Sequence, residues 1–144
     1  MLRNREIKVM DKLKSKRGTE TIEFVILVPL MLFLVFGFMS FVLVLYAKVV
    51  VADAAREGAR AEALGVTTAL EKVKDVLKGY NLNDKLIDDV KVDTKEENGF
   101  EYITVNVIYK QPSLFPGLPR LIGSSEWPSF FKVTSAAVFK KEKL

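Results

Sequence analysis

Few side chains in this sequence can do covalent chemistry. The 144 residues include no cysteine and no histidine. That removes thiolate nucleophiles, every His-dependent triad and the Cys- or His-based zinc sites, and no cofactor or metal is implied. Two adjacent carboxylate pairs remain, Asp88-Asp89 and Glu96-Glu97. Successive side chains of a strand point to opposite faces, so Asp88 and Asp89 are not expected to converge. Glu96-Glu97 precede Asn98-Gly99 and read as part of a solvated turn. With no phosphate loop, metal-ligand spacing or nucleophile elbow, the expectation is a protein that is not an enzyme. The unusual segment is Lys16-Arg17-Gly18-Thr19-Glu20-Thr21-Ile22-Glu23-Phe24, in which a glycine follows two cations and Glu23 stands at the edge of a long apolar run.

That run extends from Phe24 to Tyr46, 23 residues without a charge. As a helix rising about 1.5 Å per residue it reaches roughly 34 Å, a little more than the ~30 Å hydrocarbon layer of a bilayer. Pro29, Gly37 and Ser40 are its only interruptions. A core helix in so short a chain rarely stays apolar around its whole circumference, so the run reads as a transmembrane segment. Residues 1–18 carry seven basic and two acidic side chains, while the rest of the chain carries 15 and 16. The excess positive charge is therefore a flank of the apolar run, not a nucleic-acid surface. By the positive-inside rule it holds the N-terminus in the cytoplasm and sends the residues after 46 across. Residues 1–18 read as a disordered topogenic leader. A weakly amphipathic helix through Ile7, Met10 and Leu13 is the alternative.

The helical pattern continues past Tyr46. Ala47, Val51, Ala54, Gly58 and Ala61 keep a small-residue face while Lys48, Asp53, Arg56, Glu57 and Arg60 enter around it. One helix from about residue 20 to 64 is expected, with Gly65 ending or kinking it. Its small face suits close approach, either by another membrane helix or by the protein's own head. Thr68 with Glu71 forms a capping box that opens a second helix over about 68–78, and Gly79 is a plausible stop. Beyond it the pattern is that of strands: a weak alternation over 88–94, a tight turn at Asn98-Gly99, a strong alternation through Ile103, Val105, Val107 and Tyr109, and a last one over Phe131–Phe139. Residues 112–128 hold four prolines and two glycines and read as a loop, although Phe115, Leu118, Leu121, Ile122 and Trp127 make it apolar. It is the place to look for a contact surface, or it covers the open face of the sheet. The fold class expected is α+β: a long N-terminal transmembrane helix extending into a small head with one short helix and an antiparallel sheet of about three strands.

The segment 16–24 resembles the processing site of type IV pilin precursors. In those, a membrane peptidase cuts after a glycine and the fifth residue of the mature chain is a glutamate. The resemblance implies cleavage between Gly18 and Thr19, with Glu23 at the fifth position and Phe24 beside it. Gly18 suits such a cut because a residue without Cβ lets the backbone extend into a protease cleft. Cleavage would leave an α-amine on Thr19, whose intrinsic pKa is roughly 7.7–8. An isolated charge in hydrocarbon costs about 2.5–3.5 kcal/mol on the insertion scale, so a carboxylate at the same depth would offset much of that cost. Glu23 could also serve as an ordinary headgroup-level residue of a signal anchor.

The resemblance narrows at Glu23-Phe24, Pro29, Gly37, Tyr46-Ala47 and, above all, Ala54-Ala55-Arg56-Glu57-Gly58-Ala59-Arg60. These are similar to the TadE family, minor pilins or pseudopilins of tight-adherence (Flp-type) pili, over residues 16–62. Ser40 departs from that family, many of whose members carry an acidic residue there. The implied organisation is a cytoplasmic leader 1–18, a transmembrane and extended pilin helix 19–65 and an extracytoplasmic head 66–144, with the chain in the cytoplasmic membrane. The implied partners are the lipid bilayer, a prepilin peptidase, other minor and major pilins and the pilus assembly platform, with no nucleic acid. Ala55, Arg56, Glu57, Gly58 and Arg60 are implied in contacts between subunits or between helix and head. As bare surface charges, Arg56, Glu57 and Arg60 would add only ~0.2–0.5 kcal/mol per pair. The other readings are a signal-anchored protein displaying a small binding head, and a domain released by signal peptidase at Ala52-Asp53-Ala54.

Overall fold

The computed structural model describes residues 2–117, 123 and 128–141, with side chains from Thr21 onward. Its elements are α1 (Leu2–Leu64), α2 (Ala69–Gly79), a single 3-10 turn Asp84–Leu86, β1 (Ile87–Glu97), β2 (Phe100–Pro112) and β3 (Phe130–Lys141). The three strands form one antiparallel sheet in the order β1-β2-β3. The expected α+β class with one long helix, one short helix and three strands is what the chain adopts.

The chain divides into two compact units, residues 1–38 and residues 39–144. The first is the helical N-terminal part of α1. Its backbone is helical from Leu2, where a disordered leader was expected. From Thr21 to Phe38 most side chains are exposed and apolar, among them Phe24, Ile26, Leu30, Met31, Leu34 and Phe38. The segment Thr21–Leu64 contains a stretch long and apolar enough to cross a membrane, with almost none of it buried within the protein. An apolar helix left bare on nearly all sides has the length and composition of a membrane span, and suggests anchoring by a single pass.

The second unit is the head with the rest of α1. Ala47, Val50, Val51, Ala54, Ala55, Ala59 and Ala63 of α1 meet Ala69, Val73 and Leu77 of α2 and the inward face of β2, Ile103, Val105, Val107 and Tyr109. The alternation expected for β2 is thus realised, and the small-residue face of α1 packs on the head of its own chain. Both helix ends are set by left-handed residues. Gly65 (φ 65°) follows α1, with its N–H donating to the carbonyl of Glu62 and that of Val66 to Ala61, a Schellman motif. The same motif closes α2, but at Asn81 (φ 57°), whose N–H donates to Lys78 O while Leu82 N–H donates to Leu77 O. Gly79, expected as the stop, stays inside the helix. Asn tolerates the left-handed region, and Leu82 two residues beyond Tyr80 packs on the core where it locks that register.

Thr68 caps α2 as expected, accepting from Glu71 N–H at 3.4 Å, but the Glu71 carboxylate returns to the Thr67 hydroxyl (2.7 Å). The first N–H of the helix, Ala69, donates to Glu62 of α1 at 2.6 Å. Asn98 (φ 54°) and Gly99 (φ 77°) make the tight turn between β1 and β2. A bulge between Ile87 and Asp89 shifts the β1–β2 register. It corrects the expectation for Asp88 and Asp89, because the extra residue places both on the outward face of the sheet. Asp88 there lies 2.6 Å from Lys110 and 4.0 Å from Lys132, and Asp89 lies 3.7 Å from Lys91. Lysines occupy both carboxylates, and the pair does not form a shared acidic site.

Candidate functional site

The candidate site is α1 itself, since the residues singled out for function all lie on it. Gly18 and Thr19 fall inside its helical backbone, and their side chains lie outside the described residues. Glu23 and Phe24 are exposed, Phe24 at 66%. Their environment is that of the bare apolar unit.

The segment Ala54–Arg60 is divided by the helical period. Ala54, Ala55 and Ala59 are completely buried. Gly58 is buried too, and the space beside it is already filled: a Cβ there would stand 2.9 Å from Val73 Cγ2, 3.3 Å from Ala69 O and 3.7 Å from Val105 Cγ1. Gly58 is therefore a point of close approach of α1, α2 and β2. Glu57 is half-buried, while Arg56 and Arg60 are exposed. Among the described residues neither arginine pairs with a carboxylate, so the alternative of a Glu57–Arg60 surface pair is not realised. The small residues are thus accounted for by the head. The two guanidiniums continue an outward stripe that begins with Leu45 and Val49, the latter 69% exposed.

Other residues also hold the head on α1, through contacts not assigned from the sequence. The Tyr46 hydroxyl donates to Tyr80 O (3.0 Å), and the Tyr80 hydroxyl donates to Asp53 (3.3 Å), tying the end of α2 to the middle of α1. Lys48 Nζ donates to Thr134 O of β3 (3.4 Å). Glu62 carries one available sequence signal: an acid in the last turn of a helix opposes the helix dipole, which points to a partner elsewhere. That partner is the N-terminus of α2. Burial pushes the Tyr109 phenol up from its ordinary pKa, a shift partly opposed by the backbone N–H of Asn83. The Lys110 ammonium, with Lys132 behind it, holds the Asp88 carboxyl below the usual value.

No group of carboxylates among the described residues is arranged to hold a metal ion. What α1 offers is a helix with three surfaces: one bare and apolar, one used by the head, and one exposed stripe that ends in two arginines.

Residues 18–60 match the family model described as TadE-like protein. The matched segment is somewhat less than a third of the chain and begins at Gly18, so the resemblance read from the sequence is borne out for α1. It marks the chain as carrying a TadE-like segment and associates it with tight-adherence pili. Comparison of the chain with curated proteins and with solved structures gives no match.

Proposed function

We propose that this chain is a minor pilin or pseudopilin subunit of a tight-adherence pilus, a non-enzymatic component processed by a prepilin peptidase after Gly18. The observation that carries the reading is the coincidence of the TadE-like match with α1. Within the matched segment the head takes Ala54, Ala55, Gly58 and Ala59, and Arg56 and Arg60 stay on the exposed face. That face is available to another subunit.

In this reading the basic flank keeps the N-terminus in the cytoplasm, and the head lies on the far side of the cytoplasmic membrane. Removal of residues 1–18 creates a cationic α-amine on Thr19 at the rim of the apolar helix. The Glu23 carboxylate, one helical turn away in its own chain or on a neighbour, neutralises that amine and fixes the axial register between subunits. An assembly platform then draws the helix from the bilayer into contact with other pilins.

The test is complementation. Cells lacking the protein are expected to lose tight-adherence piliation and to recover it with the wild-type chain. Recovery is not expected with Glu23→Ala, or with Arg56→Ala combined with Arg60→Ala, at equal protein level. Full piliation with Glu23→Ala and with Gly18→Ala would contradict the proposal and leave a signal-anchored protein displaying a small head.

A further inference from the structure

The neck of the loop between β2 and β3 lies at the depth of the apolar run of α1. Two contacts fix the register of the sheet on the helix: Val105 of β2 is the strand residue beside Gly58, and Lys48 Nζ reaches Thr134 O of β3. As residue numbers rise along α1, those of β2 fall, so β2 descends toward the N-terminal side of the helix. From Val105 to Pro112 the strand covers seven steps of about 3.3 Å, roughly 23 Å. The same distance is about 15 residues of helix, which sets Pro112 near the level of residue 43. From Thr134, beside Lys48, β3 drops four steps to Phe130, roughly 13 Å, or about nine helical residues, to near residue 39. For strands running along the helix the two routes differ by about 6 Å and place the neck between the levels of residues 39 and 43. Packing of Val44 against the core independently carries the head down to about that level.

Residues 39–43 belong to the uncharged run Phe24–Tyr46. The neck is closed by Ser113 N–H donating to Ser129 O (2.9 Å), and its outer side chains are apolar: Leu114 and Phe130 are 43% and 45% exposed, and Pro112 and Pro116 are exposed beside them. Further toward the head come Lys110 and Lys132, both beside Asp88, and Lys48, which donates to Thr134 O, with Tyr46 at the end of the run. Apolar groups with charged side chains and a tyrosine on the head side match the layering of a membrane interface, where aromatic rings sit at headgroup depth.

We infer that Leu114, Phe130 and their flanking prolines insert into the bilayer, in the leaflet on the head side, as a second membrane contact beside α1. The occupant of this surface is lipid. A surface at the level of lipid-covered helix residues meets the same medium as they do. The contact would hold the head at the membrane with a fixed rotation about the helix, in addition to the anchor itself. The inference rests on α1 spanning the membrane and does not need the pilus assignment.

The absence of cysteine makes the test direct. Single cysteines at Leu114→Cys, Phe130→Cys, Val42→Cys, Val35→Cys and Asp93→Cys would each carry an environment-sensitive fluorophore in the full chain, reconstituted in phosphatidylcholine–phosphatidylglycerol vesicles with and without doxyl-labelled lipid. Labels at 114 and 130 are expected to be quenched by doxyl lipid to an extent comparable with the label at 42, and the label at 93, on the outward face of the sheet, to stay unquenched. Labels at 114 and 130 that report water would overturn the inference. So would labels shielded from water but unquenched, because a protein surface would then cover the neck. The label at 35 separates the two readings: if it is unquenched, the helix itself is not inserted and the anchor assignment fails first.

Discussion

Gly58 is the position where a single added methyl group tests the packing account most sharply. Alanine there places a Cβ 2.9 Å from Val73 Cγ2, 3.3 Å from the carbonyl oxygen of Ala69 and 3.7 Å from Val105 Cγ1. The nearest atom belongs to a β-branched side chain that is fully buried, so it cannot rotate away without leaving its rotamer. The second is backbone at the start of α2. Relief therefore requires α2 to move as a unit, and overpacking of a well-filled core costs about 1–3 kcal/mol. Against it stands the helix propensity of Ala over Gly, about 1 kcal/mol in favour of the variant. The net expectation for Gly58→Ala is a loss of about 0–2 kcal/mol, and for Gly58→Leu a larger one. Gly79→Ala is the control, since it is also helical but nothing lies within 4 Å of the added Cβ; it should gain up to about 1 kcal/mol. Thermal unfolding of the head, followed for the full chain in detergent micelles, should show Gly58→Ala melting lower by about 4–8 °C per kcal/mol and Gly79→Ala melting at or above the wild type. A Gly58→Ala protein as stable as Gly79→Ala would refute the close approach of α1 and α2.

Glu62→Ala removes the acceptor of the first N–H of α2, a charge-assisted bond of 2.6 Å. It should destabilise the head by about 1.5–3 kcal/mol, whereas Glu71→Ala, whose carboxylate meets only Thr67, should cost less. Both are read from denaturant midpoints at unchanged slope. The Asp88 carboxyl is held below its ordinary value of 3.8, so its bridge to Lys110 and Lys132 stabilises the head above that pH and fades as pH falls through the lower folded value. The stability difference between wild type and Asp88→Asn should accordingly be present at neutral pH and vanish in strong acid. Tyr109 is shifted the other way, upward from 10.0. The unfolded chain ionises first, stability should fall as pH rises above about 10, and Tyr109→Phe should flatten that alkaline slope.

Much of the fold was legible because two periods are clean in the sequence. The alternation of Ile103, Val105, Val107 and Tyr109 identified the central strand, and each of these side chains is buried. Asn98-Gly99 identified the turn before it, since positive φ at two consecutive residues leaves few alternatives. The small-residue face of α1 was equally clear, yet its partner was not. The same stripe fits a neighbouring helix or the protein's own sheet, and only the contacts of Gly58 with Val73 and Val105 decide for the head. The stop of α2 was misplaced by two residues because Gly79 offered a left-handed conformation that Asn81 actually adopts. What selects Asn81 is the long-range packing of Leu82, invisible in a local motif. Asp88 and Asp89 were assigned to opposite faces by a rule that a bulge suspends, and nothing local in Ile87-Asp88-Asp89 announces the bulge. Tyr46, Tyr80 and Asp53 lie on α1 and beyond α2, and their hydrogen bonds join residues 27 and 34 positions apart, so no spacing in the sequence could have joined them.

The central question for this protein is whether α1 is that of a processed pilin. The most direct measurement is the intact mass and N-terminal sequence of the membrane-extracted protein, produced with and without a prepilin peptidase. A mature chain beginning at Thr19 only when the peptidase is present is the predicted result. It would place Glu23 at the fifth position of the mature helix, next to a new α-amine. A chain still beginning at Met1 in the presence of an active peptidase, or one beginning at Ala55, would contradict it.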